Sequence, residues 1–242
     1  MTIPINKDNN LHTQHAMDVE LTNLHNQVLM MMTLVVYQLD QALQAIEDAD
    51  MNMALNVESR NEEIKAYQIT IDSEALNLLA LRCPVANDLR AVVTTVKIAV
   101  ELKKMGEEIV RFAQRIAVLY NPDTSDPNHG LLADIVNIGT QLKVMLEKLR
   151  DDYENSIASL AYRMSQYDHE CQTEVQEAIG KLLNITILDA RIIGRALELM
   201  QMLNVLERCS EHCKNTAEYL VFMFDGIDLR HGNQGTQELP VL

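Results

Sequence analysis

Apolar residues recur at three- and four-residue steps in six blocks along the chain, roughly residues 17–48, 51–81, 86–120, 130–152, 154–185 and 189–224. Each block predicts an amphipathic helix, so the pattern predicts an all-α fold of six helices. Between the third and fourth blocks lies the polar run Asn121-Pro122-Asp123-Thr124-Ser125-Asp126-Pro127-Asn128-His129-Gly130. Its two prolines and terminal glycine break helical continuity there. The expected organisation is a polar N-terminal tail at 1–16, a first three-helix repeat at 17–120, and a linker at 121–130. A second three-helix repeat follows at 131–224, then a C-terminal tail at 225–242.

Three helices, a linker and three helices suggest an internal repeat. A shift of 104 residues places Leu102 on Leu206, Met105 on Cys209, Glu107 on Glu211, Ala113 on Ala217 and Ile116 on Leu220. A shift of 105 lays Leu55 on Leu160 and Glu47 on Asp152 in the earlier helices. In the third block, Ile98, Leu102, Met105, Ile109, Phe112 and Ile116 form one apolar stripe at 100° per residue. Val92, Val96, Ala99, Gly106 and Val110 make a second face of smaller residues, so this helix is expected to contact neighbours on more than one side. Lys103 and Glu107 sit within that second face, and Glu207 and Glu211 sit at the matching places in the sixth block.

Composition agrees with helices packed on helices. Gly and Pro number only 8 and 5, Trp is absent and Met reaches 13, so Leu, Ile, Val, Ala and Met must fill the core. The balance of 20 basic against 35 acidic residues gives a formal charge of −15, which repels phosphate backbones, and the longest basic run is Lys103-Lys104. Direct nucleic-acid binding is therefore not expected. The first ten residues lack a cationic start followed by an apolar segment, and there is no run of 18 apolar residues. Cys83, Cys171, Cys209 and Cys213 lack the density of a disulfide framework. The expected location is the reducing cytoplasm.

Glu207 and Glu211, four apart, place two carboxylates one turn apart on a mostly apolar face, a spacing suited to a hard or borderline cation. An acid on such a face needs a partner, either a metal or a cationic side chain. His212 is a weaker candidate ligand, whereas Cys209 and Cys213 fall where the first half has Met105 and Ile109 and read as core hydrophobes. The acidic clusters Glu47-Asp48-Asp50 and Asp151-Asp152-Glu154 fall at expected helix ends. The sequence carries no phosphate-binding glycine loop, nucleophile elbow or kinase signature, and no His follows a Glu at the three-residue spacing of di-iron bundles.

The segment Pro84-Val85-Ala86-Asn87-Asp88-Leu89-Arg90, followed by Glu101-Leu102-Lys103-Lys104-Met105-Gly106-Glu107-Glu108, resembles the PhoU family of phosphate-transport regulators. Leu206-Glu207-Arg208-Cys209-Ser210-Glu211-His212 is similar to that family's second acidic motif. The resemblance implies two three-helix bundles, often as a homodimer, whose acidic motifs bind metal ions such as Mg, Mn, Zn or Fe. It assigns Glu207 and Glu211 as ligands, with Glu107 and His212 as weaker ones, and gives Asp88 and Arg90 to a charged partner or interhelical contact. It also implies a non-enzymatic negative regulator of phosphate uptake, peripheral to the membrane through the phosphate ABC transporter ATPase and a phosphate-sensing histidine kinase. Lys103 departs from the family pattern, because a cation there repels a metal at Glu107 and can pair with Glu107 instead. A metal-dependent helical-bundle enzyme and a purely structural helical dimer stand as the alternatives.

Overall fold

Among the described residues six helices form: α1 (Lys7–Glu47), α2 (Met51–Arg82), α3 (Ala86–Leu119), α4 (His129–Glu154), α5 (Ala161–Leu188) and α6 (Ile193–Asp225), with a 3-10 turn at Ala190–Ile192. The computed structural model describes residues 7–120, 129–159 and 161–229, and most of the predicted linker and the outer parts of both tails lie outside them. Among the described residues there is no strand, and no helix is long and apolar enough to cross a membrane.

Local chemistry sets the helix ends. The Asp50 carboxylate accepts the backbone N–H groups of Asn52 and Met53 and caps α2. That helix stops at Cys83, which takes a left-handed conformation (φ 48°) just before Pro84. Two boundaries differ from expectation. α1 begins at Lys7, inside the stretch read as tail, because no glycine or proline lies between Pro4 and the apolar block and an existing helix extends cheaply. α5 begins at Ala161 rather than 154. The chain first closes a turn at Ser156 (φ 55°), with the Ile157 N–H on the Asp152 carbonyl and the Ser159 hydroxyl on the buried Asp152 carboxylate.

Packing joins the two halves into one core. α3 contacts α1, α2 and α6, as its two apolar faces predict, and α6 contacts α3, α4 and α5. α1 also crosses α4, where Gly139 lets the Leu43 side chain come close and Lys143 pairs with Asp40 at 2.6 Å. α3 and α6 run antiparallel: Arg90 reaches Met223, Glu101 reaches His212, Glu108 reaches Arg208 and Arg115 reaches Glu198.

Burial reveals the register of the repeat. Shifting α3 by 104 residues puts the buried Val92, Ile98, Leu102, Met105, Phe112 and Ile116 on the buried Ala196, Met202, Leu206, Cys209, Thr216 and Leu220. For the first two helices of each half the shift of 105 must be corrected to 107. Val28, Met31, Val35 and Leu39 then fall on Ile135, Ile138, Leu142 and Leu146, and Val57, Ile64 and Ile71 on Met164, Cys171 and Ala178. The three-residue difference corresponds to Cys83-Pro84-Val85, the non-helical link that α2 and α3 share.

Candidate functional site

The α6 motif lies along one edge of the second half. Glu207 is half-buried and Glu211 exposed, one turn apart, with Cys209 and Ser210 turned inward between them. Beneath them α5 supplies a carboxylate that sequence reasoning missed. Asp168 is 4% exposed, accepts the Ser210 hydroxyl at 3.0 Å and the Gln172 amide at 3.2 Å, and faces the Lys214 ammonium at 3.5 Å. The neighbouring Cys171 thiol is pushed up to about 11 by burial, with the negative charges of Asp168, Glu174 and Glu207 adding to it. The field of all three carboxylates therefore reaches that one thiol. No three His, Cys, Asp or Glu side chains among the described residues come close enough to enclose a metal ion. The donor set fits a hard cation that keeps most of its water on two carboxylates, and does not supply the four protein ligands of a structural zinc site.

In the first half, Lys103 pairs with Glu107 at 3.4 Å, each side chain 36% exposed. The ammonium occupies the direction from which a cation would approach Glu107. Below it, Gly106 is wedged so tightly that a Cβ would lie 2.6 Å from Asn61 Oδ1 and 3.3 Å from Gln38 Oε1. Both amides are buried, and neither oxygen has a hydrogen-bond partner, while the Gln38 amide N–H donates to the Val57 carbonyl. At the shifts of 107 and 104, Asn61 corresponds to Asp168 and Gly106 to Ser210. The acid and the hydroxyl of the second half thus become an amide and a hydrogen in the first.

His212 turns away from the Glu207–Glu211 face. Its Nδ1 lies 2.6 Å from Glu101 Oε2 across the α3–α6 contact, and the same carboxylate receives Lys104 at 2.9 Å and Asn215 at 3.3 Å. Burial alone would raise the Glu101 carboxyl, but the hydrogen bonds from His212, Lys104 and Asn215 outweigh it and hold it at about 2. Two turns further along α3, the buried Glu108 binds Arg208 at 2.8 Å and Arg111 at 2.5 Å. Cys209 and Cys213 are fully buried, their thiols pushed up by burial, and the Cys213 thiol points at the Met105 sulfur at 3.7 Å.

Asp88 and Arg90 stand at the opposite end of the pair, where α3 begins and α6 ends. Arg90 Nε donates to the Met223 carbonyl at 3.2 Å, its guanidinium lying beside Gly226, the left-handed cap of α6. Arg90 is thus an interhelical contact, placed where a cation favours the C-terminal end of the α6 dipole. Asp88 in the first turn of α3 matches the opposite end of its own helix dipole. Both border a cleft of about 510 Å³ that also holds His25 and Tyr153, stacked at 4.4 Å. Burial pushes the His25 imidazole below its usual range, with the Glu154 charge opposing.

Asp168 was legible as an acid on the α5 apolar stripe, between Met164 and Cys171, and Glu101 as an acid beside Ile98, Leu102 and Met105. Asn61 and Gln38 carried no such signal, because a neutral amide on an apolar stripe does not announce a missing charge.

Comparison with known proteins places this geometry in a family. The PhoU domain matches residues 28–116. The phosphate-specific transport system accessory protein PhoU homolog of Pseudomonas aeruginosa is 31% identical over 228 residues, covering 94% of this chain and 93% of that protein. The PhoU protein of Escherichia coli (strain K12) is 25% identical over 222 residues, covering 92% and 90%. The crystal structure of PhoU from Pseudomonas aeruginosa superposes with a TM-score of 0.81 at 30% identity, covering 87% of this chain and 99% of that one. The phosphate transport system regulatory protein PhoU from Streptococcus pneumoniae shares the fold at a TM-score of 0.79 and 22% identity, over 88% and 99% of the two chains. A near-full-length relationship with a shared fold assigns the chain: it belongs to the PhoU family of phosphate-specific transport system accessory proteins.

Proposed function

We propose that this protein is a cytoplasmic negative regulator of phosphate uptake and of the phosphate-starvation response. It acts as a homodimeric adaptor between the phosphate ABC transporter ATPase and a phosphate-sensing histidine kinase, by binding and not by catalysis. The observation that carries this reading is the relationship to phosphate-specific transport accessory proteins over more than nine-tenths of the chain. Its membrane association runs through the transporter, and its charge of −15 disfavours direct contact with nucleic acid.

The surface supports a binding role. At the ends of the α2–α3 and α5–α6 hairpins, exposed apolar side chains recur at equivalent places. Leu81 matches Leu188, Leu89 matches Ile193 and Val93 matches Leu197. Solvent-facing apolar residues kept at equivalent positions of two divergent halves suit contact with protein partners. Glu207 and Glu211 hold a hydrated Mg²⁺ or Mn²⁺ in this reading, with Asp168 and Glu174 adding negative potential.

The test is a deletion strain grown in high phosphate, complemented with the wild type or with Leu81→Asp or Leu188→Asp. Alkaline phosphatase should switch on in the deletion and be repressed again only by the wild type. Capture from detergent-solubilised cells should recover the transporter ATPase. A deletion strain whose phosphatase stays fully repressed sinks the proposal.

A further inference from the structure

Asp88 and Arg90, the charged residues of the segment that leads into α3, line one cleft of about 510 Å³ where α1, α3, α4 and α6 meet. Its apolar lining comes from both halves of the chain, with Leu21 and Leu24 on α1, Tyr153 on α4 and Phe224 on α6. Of the described side chains that line it, Arg90 is the one guanidinium or ammonium and Asp88 the one carboxylate. A concave, partly apolar volume of this size with a few placed polar groups has the character of a small-molecule site.

The two charges do not satisfy each other. Two residues apart, they leave the helix axis about 200° from one another and do not face each other. Among the described residues the Asp88 carboxylate makes no ion pair, and Arg90 spends its Nε–H alone, on the Met223 carbonyl. Both terminal nitrogens of the guanidinium keep their donors unspent. The fold does not demand this arrangement. At the shift of 104, Asp88 corresponds to Ile192 and Arg90 to Gly194, so the second half builds the equivalent hairpin end with neither charge. The helix dipole favours an acid at position 88, and the Met223 carbonyl needs one donor. Neither accounts for an anion and a cation held unpaired in one apolar cleft.

Charge selects the ligand. An anion drawn to Arg90 also meets Asp88, in a chain whose formal charge is already −15, and a cation drawn to Asp88 also meets Arg90. A molecule with an ammonium and a carboxylate on one apolar body satisfies both and covers the apolar walls. His25, stacked on Tyr153 at 4.4 Å, and the Asn87 amide add neutral hydrogen-bonding groups.

We infer that this cleft binds a small zwitterion with an apolar body, of the class of aliphatic and aromatic α-amino acids, its ammonium on Asp88 and its carboxylate on Arg90. The inference is independent of the transporter reading above. The test is calorimetry and thermal melting of the full chain with L-phenylalanine and L-leucine. Beside them go hydrocinnamate, which is phenylalanine without the ammonium, and phenethylamine, which is phenylalanine without the carboxylate. At least one amino acid should bind with a dissociation constant on the order of 0.1–1 mM and raise the melting temperature, because it binds the folded state alone. Each analogue with one charge should bind on the order of 10-fold or more weaker than phenylalanine. Asp88→Asn should weaken the amino acid by a similar factor, and its melting without ligand should match the wild type. Ala91→Met, which fills the cleft and keeps both charges, should abolish binding and decides the matter if Asp88→Asn disturbs α3. An analogue that binds as tightly as phenylalanine overturns the zwitterion. Wild-type binding in Ala91→Met overturns the cleft. Neither heat nor a melting shift with either amino acid, at about ten times the weaker constant, overturns the proposal as a whole.

Discussion

Replacing Glu101 by Gln keeps the shape of the side chain and removes its charge from an enclosed polar contact between the two halves. In the folded protein this carboxyl is held at about 2, against 4.5 in the unfolded chain. A displacement of that size corresponds to about 3 kcal/mol of stability at neutral pH. The carboxylate is only 7% exposed, so solvent screening removes little of it. Because the folded value is depressed, the contribution is complete above pH 4.5 and disappears as the pH falls towards 2. The variant should therefore be about 2–3 kcal/mol less stable at pH 7, a fall in melting temperature of roughly 6–10 °C for a chain of this length. Its deficit should narrow between pH 4.5 and pH 3. Guanidinium unfolding at pH 7, 5, 4 and 3 measures both quantities. A variant within 1 °C of the wild type at pH 7, or a deficit of constant size down to pH 3, would refute the reasoning. A double-mutant cycle with His212→Ala should return a coupling of about 1–3 kcal/mol, since both groups lie in one network.

Two glycines should respond in opposite directions to alanine. Gly106→Ala pushes a methyl into Asn61 and Ile64 and should cost about 1–3 kcal/mol, whereas Gly180→Ala meets nothing within 4 Å and should gain up to about 1 kcal/mol from helix propensity; equal effects on unfolding midpoints would contradict the packing. Arg90→Ala removes the donor on the Met223 carbonyl and should cost about 1 kcal/mol, with faster hydrogen exchange confined to the last turn of α6. Glu207→Gln with Glu211→Gln should abolish Mn²⁺ uptake measured by calorimetry, while Lys103→Ala leaves that stoichiometry unchanged; full stoichiometry in the double variant would remove both residues as ligands.

Most of the architecture was written in the apolar periodicity, because helix burial repeats every three or four residues and six such blocks admit few other folds. The boundaries were less visible. α1 extends back to Lys7 through residues without an apolar stripe, carried by the cooperativity of a helix already formed, and the turn at Ser156 depends on a hydroxyl contact with Asp152 that no local pattern announces. The motif acids were legible as acids, and so was the Lys103–Glu107 pair, but the partners of His212 and Glu108 were not. Whether His212 turns to Glu211 or to Glu101 depends on the antiparallel setting of α3 against α6. That setting brings together residues more than a hundred positions apart. The register of the repeat was readable in the third helices at 104 and misread by two residues in the others, because an amphipathic helix shifted by a partial turn still overlays many apolar positions.

The two halves share a fold but no longer share an electrostatic design. Going from second half to first, Glu207 becomes Lys103, Ser210 becomes Gly106, Lys214 becomes Val110 and Asp168 becomes Asn61. Each replacement removes a charge or a hydroxyl, except the first, which inverts the charge. The combination is self-consistent. With a lysine already paired to Glu107, a buried Asp at position 61 would compete for that ammonium while paying the cost of burial, and the amide avoids the conflict. The second half retains Asp168 with its own ammonium at Lys214 and leaves Glu207 and Glu211 clear of either. A cation added to this protein therefore meets a cation-saturated motif on α3 and an acid-rich one on α6. If metal binding regulates the chain, the asymmetry assigns that regulation to the second half.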